Sequence, residues 1–268
     1  MPKTYESDCG RLVFAGDLHG AFGALNQFAL TKRNEGTALV VCGDIGLGFA
    51  RVRDNLNSLR AVNESCLRHG CELFLVRGNH DDPSLFDGET LELERVHPVP
   101  DYSMVKACGH GILCVGGAVS VDRSVRIRED DFNDTMAELF GSGERTRTYW
   151  ENEIPRYDAD ALTEILKSGI RIDTAASHTA PSSCEPAGQE GISVWLKADG
   201  RLSGDLTEER TTMDRILRRL EEDGHPLRNW FYGHFHRHRE EERDGVKFTL
   251  LDMMRNGRLD TKELQQNI

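Results

Sequence analysis

The chain has 268 residues and a formal net charge of −12, with 45 acidic residues against 33 basic ones. That balance argues against a surface built for general binding to a nucleic-acid backbone, because phosphate contacts need lysine and arginine. No apolar run approaches the roughly 18 residues that a membrane span needs. The length suits one large domain or two small ones, and we expect a single domain over residues 1–268.

The cysteines and the first residues predict a compartment. The seven cysteines are scattered and form no Cys-x-x-Cys pair, so free thiols are expected and a zinc ribbon is not. Residues 1–8 lack the charged-then-apolar layout of a signal peptide. Both features favour a reducing cytoplasm.

Predicted strands and helices alternate along the chain. Short apolar runs predict strands at residues 11–15, 38–42, 71–76, 105–108, 111–115, 170–176, 230–232 and 246–251. Apolar residues at helical spacing predict helices at residues 21–32, 52–66, 159–166 and 206–222. Residues 120–158 are interpreted as a polar excursion over the sheet edge that shapes the substrate pocket, and residues 180–204 as a loop. The repeated strand–loop–helix order predicts an α/β domain with parallel strands and right-handed crossovers.

Polar side chains follow five of the predicted strands. In chain order these are Asp17 and His19, Asp44, Asn79 and His80, His178, and His234 and His236. In such sheets, ligands bind at the carboxyl ends of the strands. Carboxylates, imidazoles and an amide suit Mn²⁺, Fe²⁺, Zn²⁺ or Ni²⁺ better than Ca²⁺, which prefers oxygen alone.

These candidate ligands are too many for one ion. Without His80 there are seven, more than one tetrahedral or octahedral ion can take alongside a water. Two ions that share a carboxylate account for the surplus, and Asp44, alone at its strand end, is the natural bridge. A purely structural role would leave unpaired polar groups at converging strand ends, at considerable cost.

The order of these motifs resembles the calcineurin-like metallophosphoesterases. Their pattern is Asp-x-His, Gly-Asp, Gly-Asn-His-Asp/Glu, a lone His and Gly-His-x-His, and all five blocks occur here in order from Asp17 to His236. The resemblance implies a two-sheet β-sandwich flanked by helices. It also implies one ion held by Asp17, His19, Asp44 and His236, and a second held by Asp44, Asn79, His178 and His234.

The resemblance further implies a dinuclear-metal-dependent phosphoester hydrolase. A hydroxide that bridges the two ions would be the nucleophile. His80 would protonate the leaving oxygen, with Asp81 or a neighbour orienting its ring. Mn²⁺ is the first choice of metal, with Fe²⁺, Zn²⁺, Ni²⁺ or Mg²⁺ as alternatives, and the substrate is a small phosphomonoester or phosphodiester, with a nucleotide among the candidates.

Three arginines are candidates for binding the substrate phosphate. The segment from Gly116 to Arg123 resembles a Gly-Gly-Ala…Asp-Arg segment of some bacterial and phage members, and Arg126 follows it closely. Guanidinium groups suit bidentate phosphate binding. Arg128 lies close to Arg123 and Arg126, and a solvated cluster of these arginines paired with the acidic residues 129–131 explains them equally well. Arg77 is the third candidate for binding phosphate, but its position at a strand end is explained more simply if it is an exposed arginine without a functional role.

Two blocks separate this chain from the serine/threonine phosphoprotein phosphatases and their dinucleoside-polyphosphate hydrolase relatives. Those carry Gly-Asp-x-Val-Asp-Arg-Gly in the second block, whereas this chain has Gly43-Asp44-Ile-Gly-Leu-Gly48 and so lacks a phosphate-gripping arginine. Those also carry Glu in the third block, where this chain has Asp81. Such an enzyme is therefore an alternative. A metal-binding interaction module without catalysis is a second alternative, against which the intact ligands and His80 speak.

Overall fold

The computed structural model describes residues 3–49, 52–140, 147–184 and 191–267. Its strands are β1 (Thr4–Ser7), β2 (Arg11–Ala15), β3 (Thr37–Cys42), β4 (Glu72–Val76), β5 (Val96–Pro98), β6 (Ser103–Ala107), β7 (His110–Val115), β8 (Thr174–Ser177), β9 (Asn229–Tyr232), β10 (Arg239–Arg243), β11 (Val246–Leu250) and β12 (Thr261–Leu264). Its α-helices are α1 (Phe22–Leu30), α2 (Val52–His69), α3 (Arg123–Phe140), α4 (Ala159–Lys167), α5 (Ile192–Ala198) and α6 (Leu202–Glu222). None of the helices within these ranges is long and apolar enough to cross a bilayer.

The strands form two mixed sheets. The five-stranded sheet has the order β12-β2-β3-β4-β5, with β2 to β5 parallel and β12 antiparallel. The seven-stranded sheet has the order β1-β6-β7-β8-β9-β11-β10, and β7, β8, β9 and β11 are parallel within it. The predicted α/β fold, with two sheets flanked by helices, is confirmed.

Side-chain alternation along the strands builds the layers. Leu12 and Phe14 of β2 point into the core between the sheets, while Val13 and Ala15 face the core under α1 and α2. The Phe14 ring stacks on Phe231 of the opposite sheet, with centroids 3.8 Å apart. A third core lies between the seven-stranded sheet and helices α4 and α6. The sandwich brings the carboxyl ends of strands from both sheets to one edge.

The segment predicted as a polar excursion, residues 120–158, contains the 18-residue helix α3, which was not predicted from the sequence. The buried residues of α3 are Arg123, Arg126 and Asp130, which are all polar. A search for apolar periodicity therefore fails on this helix. The Gly141–Gly143 part of the predicted excursion lies outside the described residues.

Residues 180–204 and the C-terminal part also differ from expectation. The segment predicted as a loop includes α5 and the start of α6, and its residues 185–190 lie outside the described ranges. The predicted last strand, β11, lies beside β10 and is followed in the chain by β12. Both added strands are charged and lie at sheet edges, where charge discourages pairing with other chains and hides the usual strand pattern.

Candidate metal centre

Four predicted ligands converge at the edge where β2, β3 and β9 end. Asp17, His19, Asp44 and His236 each offer one ligand atom, and these atoms all lie within 4.8 Å of one another. His236 Nε2 is 3.1 Å from Asp17 Oδ2 and 2.9 Å from His19 Nε2. Two imidazole nitrogens and two carboxylates at such distances need a shared proton or a cation between them. The donor set fits a divalent ion that accepts nitrogen and oxygen ligands.

The other predicted ligands lie directly beside the first group. His178 Nε2 is 3.1 Å from Asp44 Oδ1 and 3.0 Å from Asn79 Oδ1. His178 Nδ1 donates to the Cys42 carbonyl at 2.8 Å, which turns Nε2 toward those oxygens. The His234 ring packs edge-on against His178, with centroids 5.0 Å apart. A carboxylate, an amide and two imidazoles thus lie together beside the first ligand group.

Asp44 lies between the two groups. Its Oδ2 is 3.8 Å from His19 Nε2, and its Oδ1 faces His178. Burial alone would raise the pKa of Asp44, but the neighbouring His178 outweighs burial and holds that pKa well below its ordinary value. Burial would lower the pKa of His178, yet Asp44 raises it to about 10. The Asp44 carboxylate and the His178 imidazole therefore stabilise each other's charged forms, and a cation bound beside Asp44 would compete with the proton on His178.

The backbone of the site is strained. In the described ranges, half of the non-glycine residues with positive φ are predicted ligands: His19 (46°), Asp44 (48°), His234 (72°) and His236 (50°). Left-handed conformations of such residues are uncommon and cost about 1–3 kcal/mol each. Glycines also admit the carboxylates, because a Cβ on Gly78 would collide with Asp44 and one on Gly233 with Asp17. Strain concentrated at one cluster indicates function rather than packing.

His80 lies at the mouth of this cluster. Its half-buried ring stacks on Phe49 with centroids 4.8 Å apart and packs edge-on against His19. Its Nε2 accepts a hydrogen bond from Arg126 Nη2 at 2.7 Å, so this imidazole is neutral. Burial, assisted by the nearby Arg126, lowers the pKa of His80 to about 4 against the opposing effect of the Asp44 carboxylate.

The structure does not support the predicted role of Asp81 in orienting His80. Asp81 is fully buried and accepts backbone N–H bonds from Ile45, Gly46, Leu47 and Gly78, at 2.7–3.1 Å. Burial and the Asp44 carboxylate raise the pKa of Asp81 to about 6, while these N–H donors oppose the rise. Both oxygens are occupied by the loop that carries Asp44, so Asp81 shapes that loop.

Arg77 is placed differently from both predicted readings. It is buried, and its guanidinium binds the Asp101 carboxylate at 2.8 Å and the Glu153 carbonyl at 2.9 Å. Arg77 therefore holds the segment around Glu153 to the sheet. This geometry argues against a phosphate-binding role.

Arg123 and Arg126 have different surroundings. Arg123 is buried between Asp199 at 2.6 Å and Asp205 at 2.5 Å, rather than paired with residues 129–131. These ion pairs tie α3 to the end of α5 and to the start of α6. Arg126 binds Asp122 at 2.8 Å and lines the cavity beside His80. Of the three predicted arginines, only Arg126 faces the candidate centre.

A cavity of about 670 Å³ opens onto the centre. At one end it is lined by Asp44, Asn79, His234 and His236. Its lining also includes an apolar wall of side chains that the sequence reasoning missed: Ile192, Trp195, Leu206 and Phe235. Ile192 and Trp195 are three residues apart, which is a helical spacing. This spacing could have predicted helix α5 and its apolar face.

Residues 10–238 match the family model of the calcineurin-like phosphoesterases. The chain therefore belongs to this family of hydrolases, which act on phosphoester bonds and use a dinuclear metal centre. A comparison with curated proteins gives no match.

Two solved structures illustrate the similarity. TT1561 of Thermus thermophilus aligns with a TM-score of 0.51 and 14% identity, over 91% of this chain and 90% of that one. A dimetal phosphatase from Danio rerio aligns with a TM-score of 0.48 and 14% identity, over 91% of this chain and 87% of that one. The first alignment shows a shared fold.

Proposed function

We propose that this protein is a dinuclear-metal-dependent hydrolase of small phosphomonoesters or phosphodiesters, with nucleotides among the candidates. The observation that carries the proposal is Asp44, whose two oxygens face two separate ligand groups. One ion is assigned to Asp17, His19, Asp44 and His236, and the other to Asp44, Asn79, His178 and His234, with Mn²⁺ as the preferred metal. Two such ions, when bound, supply a water nucleophile at neutral pH and offset charge on the phosphoryl oxygens.

The cavity supports a small substrate. Its volume of about 670 Å³ lies within the range of small-molecule sites. The phosphate would lie against the metal ligands, and the organic group would lie against the apolar wall formed by α5, Leu206 and Phe235. Burial of apolar surface on that wall would contribute to substrate binding.

The first test is hydrolysis of para-nitrophenyl phosphate and bis-para-nitrophenyl phosphate by chelator-stripped protein. Mn²⁺, Ni²⁺, Zn²⁺ or Mg²⁺ is then added back in separate reactions. We expect turnover only with added metal, and the ratio of monoester to diester rates assigns the substrate type. Failure to bind any of these ions would refute the proposal. Two bound ions without turnover of any ester would favour the non-catalytic metal-binding module.

We assign Arg126 to the substrate phosphate, because its guanidinium lines the cavity beside His80. Hydrogen bonds to charged groups contribute about 1.5–3 kcal/mol, so Arg126→Met should raise KM about tenfold or more and change kcat less. Steady-state kinetics with the better of the two nitrophenyl esters measures this. Arg128→Met is the matched control, since Arg128 is an exposed arginine of the same helix. Equal KM values for the two variants would contradict the assignment.

We assign His80 to the leaving-group oxygen. Since His80 Nε2 accepts from Arg126, it carries no proton to donate. The acid role therefore requires that the substrate phosphate draws Arg126 away and that His80 Nε2 then takes up a proton from solvent, which it passes to the leaving oxygen. His80→Ala should retain both ions and lower kcat for alkyl phosphates about 10²-fold or more. The effect should be smaller for para-nitrophenyl phosphate, because para-nitrophenolate leaves without a proton.

Rates across a series of leaving groups, together with Mn²⁺ stoichiometry, test this role of His80. The control is His238→Ala, because His238 is an exposed histidine paired with Asp260. Loss of metal with equal slowing of every ester would show that His80 supports the centre and is not the acid.

A further inference from the structure

Glu153 is a buried carboxylate that no motif marks. It lies in the segment after α3 and is 0% exposed. Its Oε1 accepts the Ser120 backbone N–H at 2.7 Å, and its Oε2 accepts the Ser120 hydroxyl at 2.6 Å. Burying a carboxylate is costly unless hydrogen bonds compensate it, and here both bonds come from one residue. That residue connects Glu153 to the candidate metal centre.

The Ser120 hydroxyl also accepts a hydrogen bond from Asn79 Nδ2 at 2.9 Å. Three buried side chains thus form a chain from Asn79 through Ser120 to Glu153. Its direction follows from the chemistry of the groups. An ionised carboxylate only accepts, and a hydroxyl has one proton, so Ser120 donates to Glu153 and can only accept from Asn79. Asn79 must then turn its NH₂ group toward Ser120.

The opposite side of the Asn79 amide faces the second ligand group. With Nδ2 held by Ser120, Oδ1 points toward His178 and lies 3.0 Å from its Nε2. If the amide were reversed, Asn79 would present two N–H groups, which have no lone pair for a cation. The same residue would then repel the ion that it is assigned to bind.

We propose that Glu153 and Ser120 are positioning residues that set the amide orientation of Asn79, so that its oxygen faces the second ion. This inference rests on the proposed two-ion function. It gives the segment after α3 a role at the centre, since Arg77 also binds the backbone carbonyl of Glu153.

A second buried pair offers a matched comparison. Glu209 accepts the Thr179 hydroxyl at 2.6 Å and the Val119 backbone N–H at 2.5 Å. Glu209 and Thr179 are as buried as Glu153 and Ser120. The Thr179 hydroxyl, however, has Glu209 and Arg210 as its side-chain partners within the described residues, and neither is an assigned ligand. Removing it should cost similar stability without reorienting Asn79.

The test is calorimetric titration of chelator-stripped protein with MnCl₂. It is run at pH 8, because burial raises the pKa of Glu153 to about 7 against the two Ser120 hydrogen bonds. We expect two bound ions in the unaltered chain. In Ser120→Ala, one ion should bind as before and the other 10–100-fold more weakly, as is typical for loss of a partner that orients a ligand.

Three further variants complete the test. Ser120→Thr keeps the hydroxyl and should restore the second ion, while Thr179→Val should bind both ions normally. Glu153→Gln can donate to Ser120 and so permits the reversed amide, and it should weaken the same ion as Ser120→Ala. Thermal unfolding of the metal-free proteins measures stability separately from ion affinity.

The outcomes separate this inference from the proposed function. Normal binding of two ions by Ser120→Ala, or equal weakening in Ser120→Ala and Thr179→Val, would overturn the positioning role alone. An unaltered chain that binds no Mn²⁺ would overturn the two-ion function itself.

Discussion

Asp44→Asn is expected to abolish tight metal binding and, with it, hydrolysis. The asparagine keeps the shape of Asp44 but removes the negative charge that lies between the two ligand groups. That charge is close to its neighbours, since Asp44 Oδ1 is 3.1 Å from His178 Nε2. Loss of a partner outside the ligand set costs about 10–100-fold in affinity. We expect the loss of a ligand shared by both ions to have a larger effect and to lower activity at least about 10³-fold. Calorimetric titration with Mn²⁺ and turnover of para-nitrophenyl phosphate measure the two losses.

Asp173→Asn is the matched control for Asp44→Asn. Asp173 is also a buried aspartate paired with a histidine, His110, at 3.0 Å. It lies at the other end of β8 from His178. Its loss should lower stability but leave Mn²⁺ affinity and turnover near those of the unaltered chain. If Asp44→Asn retained two tightly bound ions, the bridging assignment would be wrong.

Asp81→Ala is expected to lower the free energy of unfolding by about 4 kcal/mol or more. Asp81 accepts N–H bonds from Ile45, Gly46, Leu47 and Gly78. An unsatisfied buried donor costs about 1–3 kcal/mol, and the substitution leaves four such donors. Asp81→Asn retains one oxygen and should cost less. Urea unfolding of the metal-free proteins at pH 8 measures the difference.

Asp87→Ala provides the comparison for Asp81→Ala. Asp87 also accepts backbone N–H bonds, from Glu89 and Thr90, but its turn is exposed to water. Water can replace these bonds, so the loss should be under about 1 kcal/mol. A fully stable Asp81→Ala with low kcat would instead support the catalytic role that its position beside His80 first indicated.

The sequence determined the strands that end at the centre and the residues that follow them. The predicted strand at residues 11–15 has the bounds of β2, and β3 and β4 differ by one residue each. Period-two alternation and short apolar runs are local properties, so they can be read without the fold. Because β2, β3 and β4 were predicted to be parallel, their carboxyl ends were expected at one edge of the sheet. The sequence could therefore predict that Asp17, Asp44 and Asn79 lie close together.

Only the tertiary structure decided what the arginines and several polar residues do. The carboxylate that binds Arg77 is 24 residues away, and one partner of Arg123 is 76 residues away. The same holds for Asn79, whose orientation depends on Ser120, 41 residues away. Ser120 in turn depends on Glu153. Such pairs join separate loops, so no local period records them, and the hydrogen-bond direction appears only once the loops have packed together.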